Sequence, residues 1–164
     1  MFACEHEGIA PDMYVLGKAL AGGVYPVSAV TASREVLGVY APGDHGSTFG
    51  GNPLAAAVAV AALRVLRDEG LVERSAELGD HFMNALREME SPHVDHIRGK
   101  GLLIGVVLKD GAGGARRFCV ELQRRGILAK ETHENVIRFA PPLVIDRETI
   151  DQILPDIRET LAMP

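Results

Sequence analysis

The chain contains 164 residues, 47% of them hydrophobic, which is enough to bury the core of one domain, or of one small domain and a piece of another. The formal net charge of −5 and the scarcity of lysine and arginine clusters argue against a nucleic-acid-binding surface. The longest apolar run, residues 54–63, is about half as long as a membrane span, so we expect no membrane contact. The two cysteines are far apart in the sequence, so we expect free thiols and a cytoplasmic location.

The first predicted element is a short apolar strand over residues 13–16, which opens onto a glycine-rich segment containing Gly17, Lys18, Gly22 and Gly23. In open α/β sheets, ligands bind where strands end. A second strand is predicted over residues 27–31, followed by a short helical or turn segment over 34–40. Since two strands do not form a stable sheet of this kind, we expect residues outside this chain to complete the sheet.

Lys18 has two interpretations. Most lysines are exposed, so a solvated loop lysine is the simpler one. In dry surroundings, however, the charged form of a lysine is disfavoured, and its neutral amine is a nucleophile towards carbonyl compounds. The spacing of the residues alone leaves both interpretations open.

The next segment, residues 44–53, is predicted to be a loop, because it is rich in glycine and hydroxyl groups and has no apolar periodicity. Backbone amides freed by glycine, together with the hydroxyls of Ser47 and Thr48, suit a phosphate group, although a plain surface loop would have the same composition. Asn52 and Pro53 are typical of the start of a helix. That helix is predicted to run to about residue 66, to be buried on most sides, and to end at Gly70.

The second half of the chain predicts an α+β arrangement. Apolar periodicity and turn residues place helices over residues 72–89 and 115–125, a final helix after Asp146, and strands over 101–108, 127–130 and 136–139. Pro155 lies inside the apolar stripe of the final helix and is expected to kink it. The histidines show no spacing typical of metal ligands, so no metal site is predicted.

Four segments carry a resemblance to a known enzyme family. They are residues 2–12, 16–30, 45–54 and 136–145. Their most characteristic stretches are Phe-Ala-Cys-Glu-His-Glu-Gly at 2–8, Leu-Gly-Lys-Ala-Leu-Ala-Gly-Gly at 16–23, His-Gly-Ser-Thr-Phe-Gly-Gly-Asn-Pro at 45–53 and Ile-Arg-Phe-Ala-Pro-Pro at 137–142. In this order they resemble the class III pyridoxal-phosphate-dependent aminotransferases, and among these the ornithine aminotransferases. The resemblance covers nearly the whole chain but only the C-terminal part, a little under half, of such an enzyme.

The resemblance implies the α/β fold of the fold-type-I pyridoxal-phosphate-dependent transferases, present here incompletely. Residues 1–52 would be the end of the large α/β domain, residues 53–69 a bridging helix, and residues 70–164 the small α+β C-terminal domain. The implied reaction transfers the δ-amino group of ornithine to 2-oxoglutarate. The wording of residues 4–9 and 24–30 favours ornithine over acetylornithine or other ω-amino donors.

The resemblance also implies roles for individual residues. Lys18 would hold pyridoxal 5′-phosphate covalently and move the proton between substrate and cofactor. Ser47 and Thr48 would contact the cofactor phosphate across a dimer interface, so the site would need a homodimer or an assembly with an N-terminal half. Arg138 would bind a substrate carboxylate, the alternative being a structural salt bridge, and Tyr25 would shape the pocket wall.

Several parts of the family's site lie upstream of the matching segments. They include the aspartate that partners the cofactor's ring nitrogen and the N-terminal arginine that binds substrate. We therefore expect activity to require the missing half, the chain being a split-gene product, a remnant or a fragment of a longer enzyme. The competing hypothesis is a non-catalytic remnant or assembly protein that keeps the fold.

Overall fold

The computed structural model describes residues 1–164. They form two compact units, Met1–Gly70 and Leu71–Pro164. The assignment of residues 1–52 to a large domain, 53–69 to a bridging helix and 70–164 to a small domain stays a prediction, because it concerns a larger enzyme than this chain.

The first unit contains a two-stranded antiparallel sheet, formed by β1 (Met13–Leu16) and β2 (Ala29–Ala32). β1 has the predicted bounds, whereas β2 begins two residues later than expected. The unit also contains two short 3-10 helices, Ala3–Glu7 and Lys18–Ala21, and the four-residue helix α1 (Arg34–Leu37).

The long helix of the first unit is α2 (Pro53–Asp68). The side chain of Asn52 caps its first turn as predicted, accepting a hydrogen bond from the backbone N–H of Ala55 at 2.8 Å. The prediction that this helix is buried on most sides is wrong within this unit, where only Ala55 and Ala59 are buried. A helix that is apolar on all sides needs neighbours on all sides, and in the first unit its main packing partner is the short Lys18–Ala21 turn.

The second unit is an α+β arrangement, as predicted. Its elements are α3 (Leu71–Arg87), β3 (Val94–Lys100), β4 (Leu103–Leu108), α4 (Ala115–Arg124), β5 (Lys130–Thr132), β6 (Val136–Phe139) and α5 (Arg147–Leu161). The four strands form one antiparallel sheet in the order β3-β4-β6-β5. Alternate residues of β4 and β6, including Val106 and Ile137, share a core with the helices, where Phe82, Phe118 and Ile157 are fully buried.

Two strands of the second unit differ from the sequence-based predictions. Strand β3 was not predicted, because its sequence is mostly polar, as suits an edge strand with one exposed face. Strand β5 lies at Lys130–Thr132 rather than at residues 127–130. Helix α5 runs through Pro155 to Leu161, as the apolar stripe predicted, and the kink at Pro155 stays a prediction.

None of the helices has both the length and the apolar character needed to cross a bilayer.

Candidate active site

A cleft in the first unit brings several of the predicted site residues together. It has a volume of about 1010 Å³, and Lys18, Tyr25 and Ser47 line it along with Ser28 and Thr31 of the β2 region. Its apolar lining comes from β1, from α2 and from Phe49. A concave apolar surface with a few convergent polar groups is the usual form of a small-molecule site.

Lys18 lies on the cleft at the point where the backbone leaves strand β1 and turns into the 3-10 helix. Strand β1 ends at Leu16, Gly17 is extended, and Lys18 itself has a left-handed φ of 50°. Few residues other than glycine adopt this conformation, which costs about 1–2 kcal/mol. Strained residues of this kind are concentrated at functional sites. The Lys18 side chain is exposed, so its surroundings in this chain are not the dry ones that a neutral amine would need.

The turn after Lys18 is fixed by glycine and by packing on α2. Gly22 ends the 3-10 helix in the left-handed region, at φ 61°, and Gly23 follows at φ 79°. The side chain of Ala21 is fully buried in the same turn. Of the two glycines, Gly23 lines the cleft, and half-buried Tyr25 lies next to it.

The loop that carries Ser47 and Thr48 is held by two side chains. The hydroxyl oxygen of Ser47 accepts a hydrogen bond from the backbone N–H of Gly50 at 3.0 Å, which leaves its own proton free to donate. The amide group of Asn52 donates to the carbonyl of Phe49 at 2.8 Å, while the oxygen of the same amide caps α2. Thr48 is exposed and does not line the cleft.

Gly50 is required by the geometry of this loop. A Cβ atom at position 50 would lie 2.7 Å from the Cβ of Ser47, closer than real Cβ contacts. Any larger residue would therefore push Ser47 out of its position on the cleft.

Arg138 lies in the second unit, on the exposed side of β6. Its neighbours in the strand, Ile137 and Phe139, face the core, as the two-residue period of a strand requires. Because Arg138 is exposed, its charge remains in contact with water and needs no ion-pair partner within the strand. It takes part in none of the chain's ten ion pairs, so the structural salt bridge considered as an alternative is absent from this chain.

The remaining candidate groups show no arrangement for chemistry. No group of three or more histidine, cysteine, aspartate or glutamate side chains could hold a metal ion. Both cysteines are free. Burial raises the pKa of the Cys119 thiol, which makes this cysteine less reactive at neutral pH.

Comparison with known proteins places the chain in a family. The model of the family described as aminotransferase class-III matches residues 1–161. The chain belongs to the class III aminotransferases. This confirms the resemblance read from the four segments, and with it the prediction of a partial fold-type-I α/β architecture.

Individual relatives agree with this assignment. An ornithine aminotransferase of Bacillus subtilis is 54% identical over 160 residues, which are 98% of this chain and 39% of that protein. The solved ornithine aminotransferase of Toxoplasma gondii has a TM-score of 0.91 at 44% identity and matches 97% of this chain. The solved acetylornithine aminotransferase of Elizabethkingia anophelis has a TM-score of 0.90 at 47% identity. The chain thus spans about 40% of the length of the curated relatives it matches.

Sequence reasoning missed some polar groups near these positions. Ser28 and Thr31 line the Lys18 cleft, but small hydroxyl residues in a short strand give no signal by themselves. Arg98 lies in a groove with Arg138 and was overlooked because β3 was not predicted. The apolar residues Val94 and Ile97 are three positions apart and a bulge follows Val94, so the sequence shows no two-residue alternation that would have revealed this strand.

Proposed function

We propose that this chain is the C-terminal portion of a pyridoxal-phosphate-dependent ornithine aminotransferase. The reaction transfers the δ-amino group of L-ornithine to 2-oxoglutarate and gives glutamate 5-semialdehyde and glutamate. The observation that carries the proposal is the placement of Lys18, in a left-handed conformation at the end of β1, on a cleft that Ser47 and Tyr25 also line.

The chemistry of the residues in this cleft suits pyridoxal 5′-phosphate. Lys18 provides a primary amine, and Ser47 provides a hydroxyl that can donate to a phosphate oxygen beside the glycine backbone of residues 50–51. Pyridoxal phosphate, when bound, supplies an electron sink that makes a proton beside the substrate's amino group acidic.

Three side chains of this chain have roles in proton transfer, pocket shape and substrate binding. The Nζ atom of Lys18 would take the proton from the substrate carbon that bears the amino group and pass it to the cofactor. A permanently charged arginine could not accept that proton. Tyr25 limits the pocket wall. Arg138 binds a substrate carboxylate through its planar guanidinium group.

The complete site requires further protein. Thr48 is exposed and does not line the cleft of its own chain, so we infer that it serves the cofactor of a second protein in a homodimer or in an assembly with an N-terminal half, located in the cytoplasm. We expect the purified chain alone to show no turnover of ornithine. Measurable ornithine-dependent turnover by the chain alone would refute this requirement for additional protein.

A complementation assay tests the function directly. The chain is mixed with the part of the Bacillus subtilis ornithine aminotransferase that it does not match, and consumption of ornithine is measured with pyridoxal phosphate and 2-oxoglutarate present. We expect turnover in the mixture that is lost in Lys18→Ala and kept in Lys109→Ala, an exposed lysine of the second unit that lines neither the Lys18 cleft nor the groove of Arg138. Turnover that survives Lys18→Ala would contradict the proposal.

The similarity to the Elizabethkingia anophelis acetylornithine aminotransferase favours a second candidate donor. The same mixture distinguishes the two donors when N-acetylornithine replaces ornithine. A higher kcat/KM for ornithine supports the proposed function, and a higher value for N-acetylornithine supports the alternative.

A further inference from the structure

The exposed face of the second unit's sheet carries a row of cations in cross-strand register. Arg98 of β3 pairs with Gly105 of β4, Gly105 pairs with Arg138 of β6, and Arg138 pairs with Lys130 of β5. Residues opposite one another in a sheet point to the same face. Three of the four strands thus place a positive charge at the same level, and the fourth places a glycine there.

These cations have no anionic partner in the chain. Arg98, Arg138 and Lys130 are exposed and take part in none of its ten ion pairs. Of the carboxylates nearest in sequence, Glu131 pairs with Arg116 at 2.6 Å and Asp95 with His96 at 2.7 Å. Glu134 takes part in no ion pair, with Arg138 or with any other residue. The row is therefore a concentration of uncompensated positive charge on a protein whose net charge is −5.

The glycine in the row makes room for a ligand between the two arginines. Arg98 and Arg138 lie on either side of β4, so their Cα atoms are about 10 Å apart. A Cβ atom at position 105 would lie 3.3 Å from the Cγ1 of Val136 and 3.7 Å from the Cγ of Arg98, so both side chains border the space above Gly105 and a side chain there would fill it. Both arginines line a groove of about 490 Å³ with Gly105 at its floor.

We propose that Arg98 is the second cation of a carboxylate-binding groove, in which it adds its charge to an anion held by Arg138 above Gly105. The inference rests on the role proposed for Arg138. Arg138 provides the bidentate hydrogen bonds, and Arg98 raises the affinity and selects for anionic over neutral ligands. A unit charge about 5 Å away in water-like surroundings changes affinity by a factor of about four.

The test is a titration of the isotope-labelled chain with glutarate, an unreactive dicarboxylate, followed by NMR at low ionic strength. We expect the shifts to map to β3, β4 and β6, and glutaramide, the neutral analogue, to cause none. Arg98→Gln should weaken glutarate binding about four-fold. Arg98→Lys should restore most of this loss, because the charge is kept, and added salt should reduce the difference between Arg98→Gln and the wild type.

A matched control is Arg158→Gln, which removes an exposed arginine of α5 and should leave binding unchanged. Equal binding by Arg98→Gln and Arg158→Gln would overturn the inference, and so would shifts that map elsewhere. If Arg138→Gln still abolishes binding in that case, the proposed role of Arg138 stands and only the role of Arg98 fails. If Arg138→Gln has no effect, both roles fail, whereas the role of Lys18 is tested separately by the complementation assay.

Discussion

The two units of the chain differ most in how much apolar surface each one buries. The second unit contains 22 of the buried hydrophobic residues, while the first contains three, all of them alanines. Conversely, 13 of the large exposed hydrophobic residues belong to the first unit and four to the second. Val15 in β1, for example, is 76% exposed although it lies in the middle of a strand.

This difference shows that the second unit carries its own core and that the first does not. The groups proposed for cofactor chemistry belong to the first unit, which has little core. Helix caps, turns and a two-stranded sheet are the main interactions that hold this unit together. A two-stranded sheet is marginal in water without further packing. We therefore expect the Lys18 cleft to be the less stable part of this chain, with local opening at low free energy.

The largest expected effect is the difference in unfolding free energy between two phenylalanine substitutions, one in each unit. Phe82 is 1% exposed in the core of the second unit, and Phe49 is 78% exposed in the first. Phe82→Ala should lower the free energy of unfolding by about 3–5 kcal/mol, because it leaves a cavity. Phe49→Ala should change it by no more than about 0.5 kcal/mol. Urea denaturation followed by circular dichroism measures both, and similar losses for the two variants would contradict the division.

A smaller effect is expected at the cap of α2. Asn52→Ala removes the acceptor for the backbone N–H of Ala55 and should destabilise the start of the helix by about 1 kcal/mol. Hydrogen exchange of the amides at the start of α2 reports this loss even where the first unit has no cooperative unfolding transition.

Ser33→Ala is the control for the cap of α2. The Ser33 hydroxyl caps only the four-residue α1, at a longer distance of 3.3 Å. Faster exchange at the start of α2 in this variant as well would show that the loss is not specific to Asn52.

The smallest expected effect is a pH dependence in the second unit. Because the backbone N–H of Thr149 donates to Asp146 at 2.7 Å, the pKa of this carboxyl lies below its ordinary value. The lowered pKa stabilises the fold at pH values above about 4 and is lost as the pH falls through the folded-state pKa. Asp146→Asn keeps a capping side chain but does not titrate. The unfolding free energy of this variant should therefore fall less steeply below pH 4 than that of the wild type. The difference is small, because Asp146 is one of many carboxyl groups that are protonated in acid.

The matched control for this titration is Asp80→Asn, an exposed aspartate on α3. We expect it to leave the acid slope unchanged. Identical slopes for Asp146→Asn and Asp80→Asn would show that the cap of α5 makes no special contribution.

The sequence predicted those parts of the molecule that depend on local patterns. Met13–Leu16 is an apolar run of strand length, Val136–Phe139 is apolar apart from Arg138, and Asn52 with Pro53 marks a helix start, so all three were placed correctly. The polar edge strand β3 was missed because only its pairing with β4 makes it a strand. For the same reason the row of Arg98, Gly105 and Arg138 could not be predicted, since register between strands is a non-local property.

At the candidate site, the sequence indicated which residues matter through resemblance but not how they are arranged. Lys18 and Ser47 were both named in advance, and their position on one cleft follows from the packing of the Lys18–Ala21 turn on α2, which no spacing rule gives. Arg138 is exposed because the side chains of β6 on either side of it, Ile137 and Phe139, point to the core. The resemblance named Arg138 but did not predict that its side chain is exposed.

The most direct test of the central claim is to map where pyridoxal phosphate reacts with this chain. The purified chain is treated with the cofactor, reduced with borohydride and digested, and the pyridoxyl group is located by mass spectrometry among the four lysines. A pyridoxyl group on Lys18 alone, absent from Lys18→Ala and unaffected by Lys100→Ala, would show that the cleft selects its lysine. Equal labelling of Lys18, Lys100, Lys109 and Lys130 would contradict the claim that this chain forms a selective cofactor site.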